Sequence, residues 1–241
     1  MNIQLDKKIY SSSLVQDFLL GSSKLEPFLN MGTSQDDFRK QMEKKLFSAS
    51  SRQLLYNRLS FQYKRAQINE PDHLKDILDK NTFTVTTGHQ LCLFGGPQYF
   101  IHKIVSAIKL ADVLKVQFPE KQIIPMFWMA SEDHDFKEIS SAGLFSHNIQ
   151  VEGEYQMAVG RLSPSLFSSA LEDLKTIFKN DRRGDELITV FSDAFKKDNW
   201  SDATRYWVNH FFKDYGLLII DGDDKELKKT MIHCFKNEVE V

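Results

Sequence analysis

Cysteine is nearly absent: 241 residues hold only Cys92 and Cys234. Two thiols build no disulfide framework, which sets aside a small secreted scaffold. The N-terminal MNIQLDKKIYSSSL lacks the apolar core of a signal peptide. The longest apolar run, IIPMFWMA, is far too short to span a bilayer. Basic excess is missing too. Lys and Arg number 31 against 33 Asp and Glu, so no positive field is present to hold nucleic acid. Walker A and dinucleotide fingerprints do not occur, nor does an HExxH zinc spacing. Internal repeats and low-complexity stretches are also lacking. The expectation is a cytoplasmic protein with neither nucleic-acid nor membrane partners.

What is present points to a packed core. Nineteen phenylalanines argue against a disordered chain. The length suits one large domain, or one domain carrying an insertion. Residues 1–81 read as a helical segment packed on a core. SSSLVQDFLLG is expected to be capped at Ser13 and ended by Gly21. SQDDFRKQMEKKLFSAS starts at Ser34, with Asp36 and Asp37 in its first turn. A third helix carries Leu55, Leu59, Tyr63 and Ala66. A short one follows Pro71 through Leu74, Ile77 and Leu78.

Residues 82–147 change texture. NTFTVTT is β-branched and reads as a strand. Pro97 suits the first turn of the next helix. The apolar face of that helix comprises Ile101, Ile104, Val105, Ile108, Ala111 and Leu114. QIIPMFWMA reads as a buried strand, completing a βαβ unit. Residues 148–200 read as an inserted connecting segment, in which NIQVEGEYQMAVGRL forms a hairpin or two short strands and two amphipathic helices follow. Residues 201–241 resume the core with a helix capped at Ser201 and ended by Gly216, then the strand GLLIIDGDD. Trp128, Trp200 and Trp207 are expected in the core. The fold class is α/β, with a Rossmann-like parallel sheet. The helical spacing of DDKELKKTMIHCFKNEVEV ends without a stop signal, so a fragment is expected.

Ligands of open α/β sheets bind beyond the carboxyl ends of the strands. The three proposed strands end in TTGHQ, ASEDHDF and DGDD, all polar after apolar bodies. In the first loop, Gly88, Gly95 and Gly96 permit close backbone approach, and Pro97 opens a helix whose free N–H groups attract anions. His89 and Gln90 can hydrogen-bond a ligand, with Lys103 nearby. A tight strand-to-helix turn with a satisfied histidine explains the loop equally well. Cys92 sits among apolar neighbours and reads as an inert buried thiol.

In the second loop, Glu132, Asp133, His134, Asp135 and Glu138 crowd together. Such groups can relay protons or hold Mg²⁺ or Zn²⁺, while acids alone also suit a helix start. Asp221 can hold a hydroxyl, an amine or a metal. A helix cap explains Asp221, Asp223 and Asp224 as well. Arg161 can clamp a carboxylate or stay solvated.

TVTTGHQLCLFGGPQYFIHKIVSAIKLA, followed by PMFWMASEDHDFKEI, resembles the BshC family of bacillithiol biosynthesis. AVGRL and DATRYWVNHFFKDYGLLIIDGDD fit the same family. The resemblance implies a cysteine ligase that adds L-cysteine to glucosaminyl-malate in the last step of making bacillithiol, by forming an amide bond. It implies a Rossmann-like core with inserted segments, a coiled coil expected beyond this chain, and a homodimer at full length.

Amide formation in water needs an activated carboxyl, so an adenylate from ATP is the expected activation, with ATP/ADP and Mg as the expected cofactor. On this reading His89 or His134 is the general base. Asp133 or Asp135 orients it or binds the cysteine ammonium. Gly88, Gln90, Gly95, Gly96, Pro97, Lys103, Glu132, Arg161 and Asp221 bind substrate, and no residue is assigned to a resident metal. The rival readings are a truncated binding module, half of a split enzyme, and last a metal-dependent hydrolase.

Overall fold

Alternation along two strands decides how this chain packs. A computed structural model describes residues 12–29, 32, 34–179 and 181–240. Residues 1–11, read above for the absence of a signal peptide, lie outside the described residues. The chain divides into two units, residues 1–47 and 48–241.

In the first unit, α1 spans Ser13–Leu19 and α2 spans Gln35–Lys44. Ser12, not Ser13, takes the cap position of α1, and Gly21 follows the helix at φ +64°. A run of serines offers several equivalent starts, which explains the one-residue slip. Ser34 caps α2 as expected. Its side chain accepts from the Asp37 N–H while the Asp37 carboxylate accepts from the Ser34 N–H.

The second unit is built on a parallel sheet. β1 (Thr82–His89) pairs with β2 (Gln122–Met129), and β2 pairs with β5 (Leu218–Asp221). The strand order is β1-β2-β5. Helix α4 (Tyr99–Gln117) makes the crossover between β1 and β2. Pro125 sits where β2 pairs with β1 alone, because pairing with β5 begins at Met126. A proline is tolerable there since it lacks a neighbour on one side.

Phe127, Met129 and Ile219 turn one way, onto Phe100, Ile104 and Ile108 of α4 and onto Trp207 and Val208 of α8 (Trp200–Phe212). Ile124, Met126, Leu218 and Ile220 turn the other way, onto Leu59 of α3 (Ala49–Arg65) and onto Leu74 and Ile77 of a 3₁₀ turn. The result is three layers with the sheet in the middle. Phe100 and Phe127 are fully buried, each contributing roughly 2–3 kcal/mol of hydrophobic stabilisation.

Between β2 and β5 the chain forms α5 (Phe136–Ile139), the antiparallel pair β3 (Ser141–Leu144) and β4 (His147–Gln150), then α6 (Ser168–Ile177) and α7 (Arg182–Ala194). After β5 come α9 (Lys225–Lys229) and α10 (Ile232–Val239).

Several expectations are corrected. The hairpin occupies 141–150 rather than 148–162, since Phe145 takes the left-handed turn at φ +53°. Asn199, not Ser201, caps α8, because its side-chain oxygen reaches the Asp202 N–H at 2.9 Å. Pro97 lies just ahead of α4, whose cap position is Gln98. Val105 is exposed on α4, and Phe100 and Ala107 are buried instead. Trp200 and Trp207 are core, but Trp128 is half-exposed at the sheet edge.

Candidate functional site

Strand register places the site. His89 lies beside Met129, and Met129 lies beside Asp221, in one row at the carboxyl edge. Two strand spacings therefore separate the β1 and β5 backbones, about 10 Å. Polar groups gather at each end of this row.

At the β1 end the His89 ring is buried against Tyr99 and Phe100. Its Nδ1 lies 3.1 Å from the Gln90 carbonyl, so Nδ1–H donates and Nε2 remains the acceptor. Burial holds the ring below its ordinary value of 6.5, helped by the Lys103 charge. Gln90 reaches across to the segment after β2: its amide nitrogen donates to Asp133 at 2.9 Å and to Glu138 at 2.6 Å. Cys92 is buried 3.7 Å from His89, and burial, with Glu138 beside it, pushes the thiol up to about 12. It is no nucleophile near neutral pH.

The glycine loop has a conformational reason to exist. Phe94, Gly95 and Gly96 have φ of +52°, +83° and +49° in succession. A Cβ on Gly96 would collide with Cys92. The N–H groups of Gly95 and Gly96 donate to the carbonyls of Cys92 and Leu93 at 3.1 and 2.8 Å. Those two amides are engaged within the loop and make no phosphate cradle. Lys103 donates to the Gly88 carbonyl at 3.2 Å.

At the exit of β2, Asp133 accepts the N–H groups of Asp135 (3.0 Å) and His134 (2.6 Å). The Asp135 amide, then Gln90, hold the Asp133 carboxyl below the usual carboxylate range. Asp135 caps α5 by accepting the Glu138 N–H. His134 and Asp135 are exposed. Oε2 of Glu132 is buried without a hydrogen-bond partner among the described residues, packed where a Cβ on Gly222 would stand. Among the described residues no three His, Cys, Asp or Glu side chains cluster as a metal would require.

The β5 end holds a cavity of about 500 Å³. The Asp221 carboxylate accepts the Ser131 hydroxyl, the Asp223 N–H at 3.1 Å and Nη2 of Arg65 at 2.9 Å. Gln62, fully buried, organises this end. Its side-chain oxygen accepts the Asp221 N–H (2.9 Å) and Arg205 (2.7 Å), and its amide donates to Asp224 (2.8 Å). Asp224 also accepts Nε of Arg58 and caps α9. The AVGR turn crosses the β2 exit through Val159 N–H to Asp133 O and Gly160 N–H to Ser131 O. Glycine is required at 160, because a Cβ would strike Ser131 and Ser201. The turn delivers Arg161, whose Nε donates to Asp223 at 2.6 Å. Burial disfavours ionisation of Asp223 and Asp224. The Arg161 and Lys228 pairs at Asp223 overcome it, as Gln62 and Arg58 do at Asp224, so both carboxyls stay below the usual range.

The whole chain, residues 1–241, matches the family described as bacillithiol biosynthesis BshC, N-terminal Rossmann-like domain. The chain belongs to the BshC family. It is 38% identical to a Flavobacterium johnsoniae protein named "Putative cysteine ligase BshC", over 96% of this chain and 45% of the relative. A Flavobacterium psychrophilum protein of the same name is 37% identical over 98% of this chain and 46% of the relative. One from Christiangramia forsetii is 37% identical over 92% and 43%. The chain spans about half the length of the curated relatives it matches.

In this BshC domain the residues singled out in the sequence fall into separate groups. His89, Gln90, Asp133, Gly88 and Lys103 gather at the β1–β2 edge. Gly95, Gly96 and Pro97 shape the loop there. Arg161 and Asp221 line the cavity, with Glu132 against Gly222 near the end of β5. Sequence reading missed Arg58, Gln62, Arg65 and Ser201. The signal was available in α3, where Arg58, Gln62 and Arg65 share one face at spacings of four and three.

Proposed function

We propose that this chain is the N-terminal part of a cysteine ligase that joins L-cysteine to glucosaminyl-malate through an amide bond, completing bacillithiol. Two supports carry the reading: membership of the BshC family, and the register row that sets His89 and Asp221 at one sheet edge, each with its own polar cluster. The ligase name belongs to the relatives, and this chain covers about half of their length. The full-length protein would act in the cytoplasm as a homodimer on small-molecule substrates. Among the described residues no helix is long and apolar enough to cross a membrane.

His89 fits the general base better than His134. Its Nε2 is left as an acceptor by the bond from Nδ1 to Gln90, and burial keeps the ring neutral at pH 7. The exposed His134 lacks such positioning. Asp133 acts on the same edge through Gln90 rather than on His89 itself. Asp135 serves α5 as its cap. ATP with Mg would supply an activated carboxyl. The glycine-loop amides do not fit its phosphates, being bonded within the loop.

The test replaces His89, His134 and Asp135 singly by alanine in the full-length protein. The reading expects His89→Ala to lose turnover by about a hundredfold or more, within the usual worth of a general base. His134→Ala and Asp135→Ala are expected to retain most of it. Turnover near wild type in His89→Ala would end the assignment.

A further inference from the structure

Hydrogen-bond capacity in the cavity is unevenly used. Its buried carboxylates are engaged on both oxygens. Asp221 accepts Ser131 and Asp223 N–H on one oxygen and Arg65 on the other. Asp223 accepts Arg161 on one and Lys228 on the other, each at 2.6 Å. Asp224 accepts Arg58, Gln62 and two backbone N–H groups of α9.

The donors are different. Arg58 and Arg161 each bind their aspartate through Nε alone, which leaves both η nitrogens of each guanidinium without an acceptor among the described residues. The Arg58 guanidinium carbon lies over the Phe61 ring, 4.3 Å from its centre.

Ser201 supplies a second, independent sign. It stands in the first turn of α8, a helix of 13 residues, and lines the cavity while only 3% exposed. Its hydroxyl has no hydrogen-bond partner among the described residues. The hydroxyl is reached from the cavity and is not sealed in the core. The backbone of Gly160 passes directly over it, and any side chain at 160 would cover it. The cavity lining is electrically balanced, with four cationic and four acidic side chains. A bulk positive field is therefore not what attracts a ligand.

We propose that this cavity seats one oxyanion group, a carboxylate or a phosphate, on the Ser201 hydroxyl at the N-terminus of α8, between the η nitrogens of Arg58 and Arg161. Paired guanidinium groups suit such a group, whereas the Trp200, Asp202 and Ala203 N–H groups of α8 are already engaged and add nothing to it. Charge balance disfavours a polyphosphate, which would need a net positive lining. Within the ligase reading, which this site deepens, the malyl group or the carboxylate of cysteine is such an oxyanion. The donor set itself does not depend on which reaction the full-length protein performs.

The experiment is calorimetric titration of this chain with L-malate, L-cysteine and inorganic phosphate separately, in chloride buffer. At least one is expected to bind. Ser201→Ala and Arg161→Met are expected to weaken that binding about tenfold each, with Arg161→Lys weakened less. Cooperative unfolding with an unchanged midpoint qualifies each variant as folded. Arg161 is the safer of the two, since its side chain is half-exposed and Asp223 keeps Lys228. Binding of malate or cysteine but not phosphate identifies a carboxylate site, and the reverse identifies a phosphate site. No binding of any of the three overturns the proposal, as does binding that both variants leave unchanged. Neither negative result touches the ligase reading, which is tested by product formation.

Discussion

Nη2 of Arg65 lies 2.9 Å from Oδ2 of Asp221 and 2.8 Å from Oδ1 of Asp202, so one guanidinium ties α3 to the end of β5 and to the first turn of α8. Both carboxylates are almost wholly buried, with side-chain exposures of 6% and 1%. Removing the arginine strands two charges at once. Arg65→Met is expected to cost about 3 kcal/mol, the lower end of what breaking a buried ion pair costs. For a unit of this size that lowers the unfolding midpoint by roughly 6–12 °C. A midpoint within about 2 °C of wild type in a thermal scan would contradict the assigned role.

Glycine loop residues are expected to separate by conformation. Gly88 has ordinary φ, and a Cβ there would meet Trp128 only at normal contact distances, the nearest 3.5 Å. Gly96 has positive φ and no room. Gly88→Ala should change stability by less than about 1 kcal/mol, while Gly96→Ala should cost more than about 2 kcal/mol, since strain and collision add. Urea unfolding of the two variants decides it. Equal losses would mean that the loop is not set by backbone strain.

The thiols are expected to differ in reactivity. Cys92 is buried, with its thiol pushed up to about 12, whereas Cys234 is partly exposed. Titration with a chromogenic disulfide at mild alkaline pH should modify Cys234 quickly and Cys92 only on unfolding. Two fast thiols in the folded protein would refute the burial of Cys92.

His89 makes stability depend on pH in a stated direction. Its folded value lies below 6.5, so the unfolded chain binds the proton first as pH falls. The contribution is complete above about pH 6.5 and is lost as pH drops from there toward the folded value. Asp133, Asp223 and Asp224 are held below 3.8, so their contribution is present above that value and is lost only in stronger acid. Urea unfolding from about pH 8 to pH 5 should show wild type losing stability below about pH 6.5 and His89→Gln losing less. Parallel curves for the two proteins would contradict the neutral buried ring.

The architecture was legible where local pattern and packing agree. QIIPMFWMA became the central strand because its apolar run suits burial on both faces, and NTFTVTT became its edge neighbour, β-branched with Thr84 and Thr86 exposed. Their polar ends then marked the functional edge. The glycines were legible as glycines, but not what they do, since positive φ is invisible until the turn closes over Cys92. Ser13 and Ser201 read as caps from the sequence because neighbouring Ser and Asn residues are interchangeable at that level. The cavity was hardest to foresee. Arg65 meets Asp221 across 156 positions and Arg161 meets Asp223 across 62, and no local period encodes such pairs.

The central claim is that this chain forms part of an enzyme joining cysteine to glucosaminyl-malate. The most direct measurement supplies the full-length protein with L-cysteine, glucosaminyl-malate and Mg·ATP, and follows the mass of the amide product. The account predicts product that requires all three additions and falls by about a hundredfold or more in His89→Ala. A cooperatively folded full-length protein that forms no product under these conditions would contradict it.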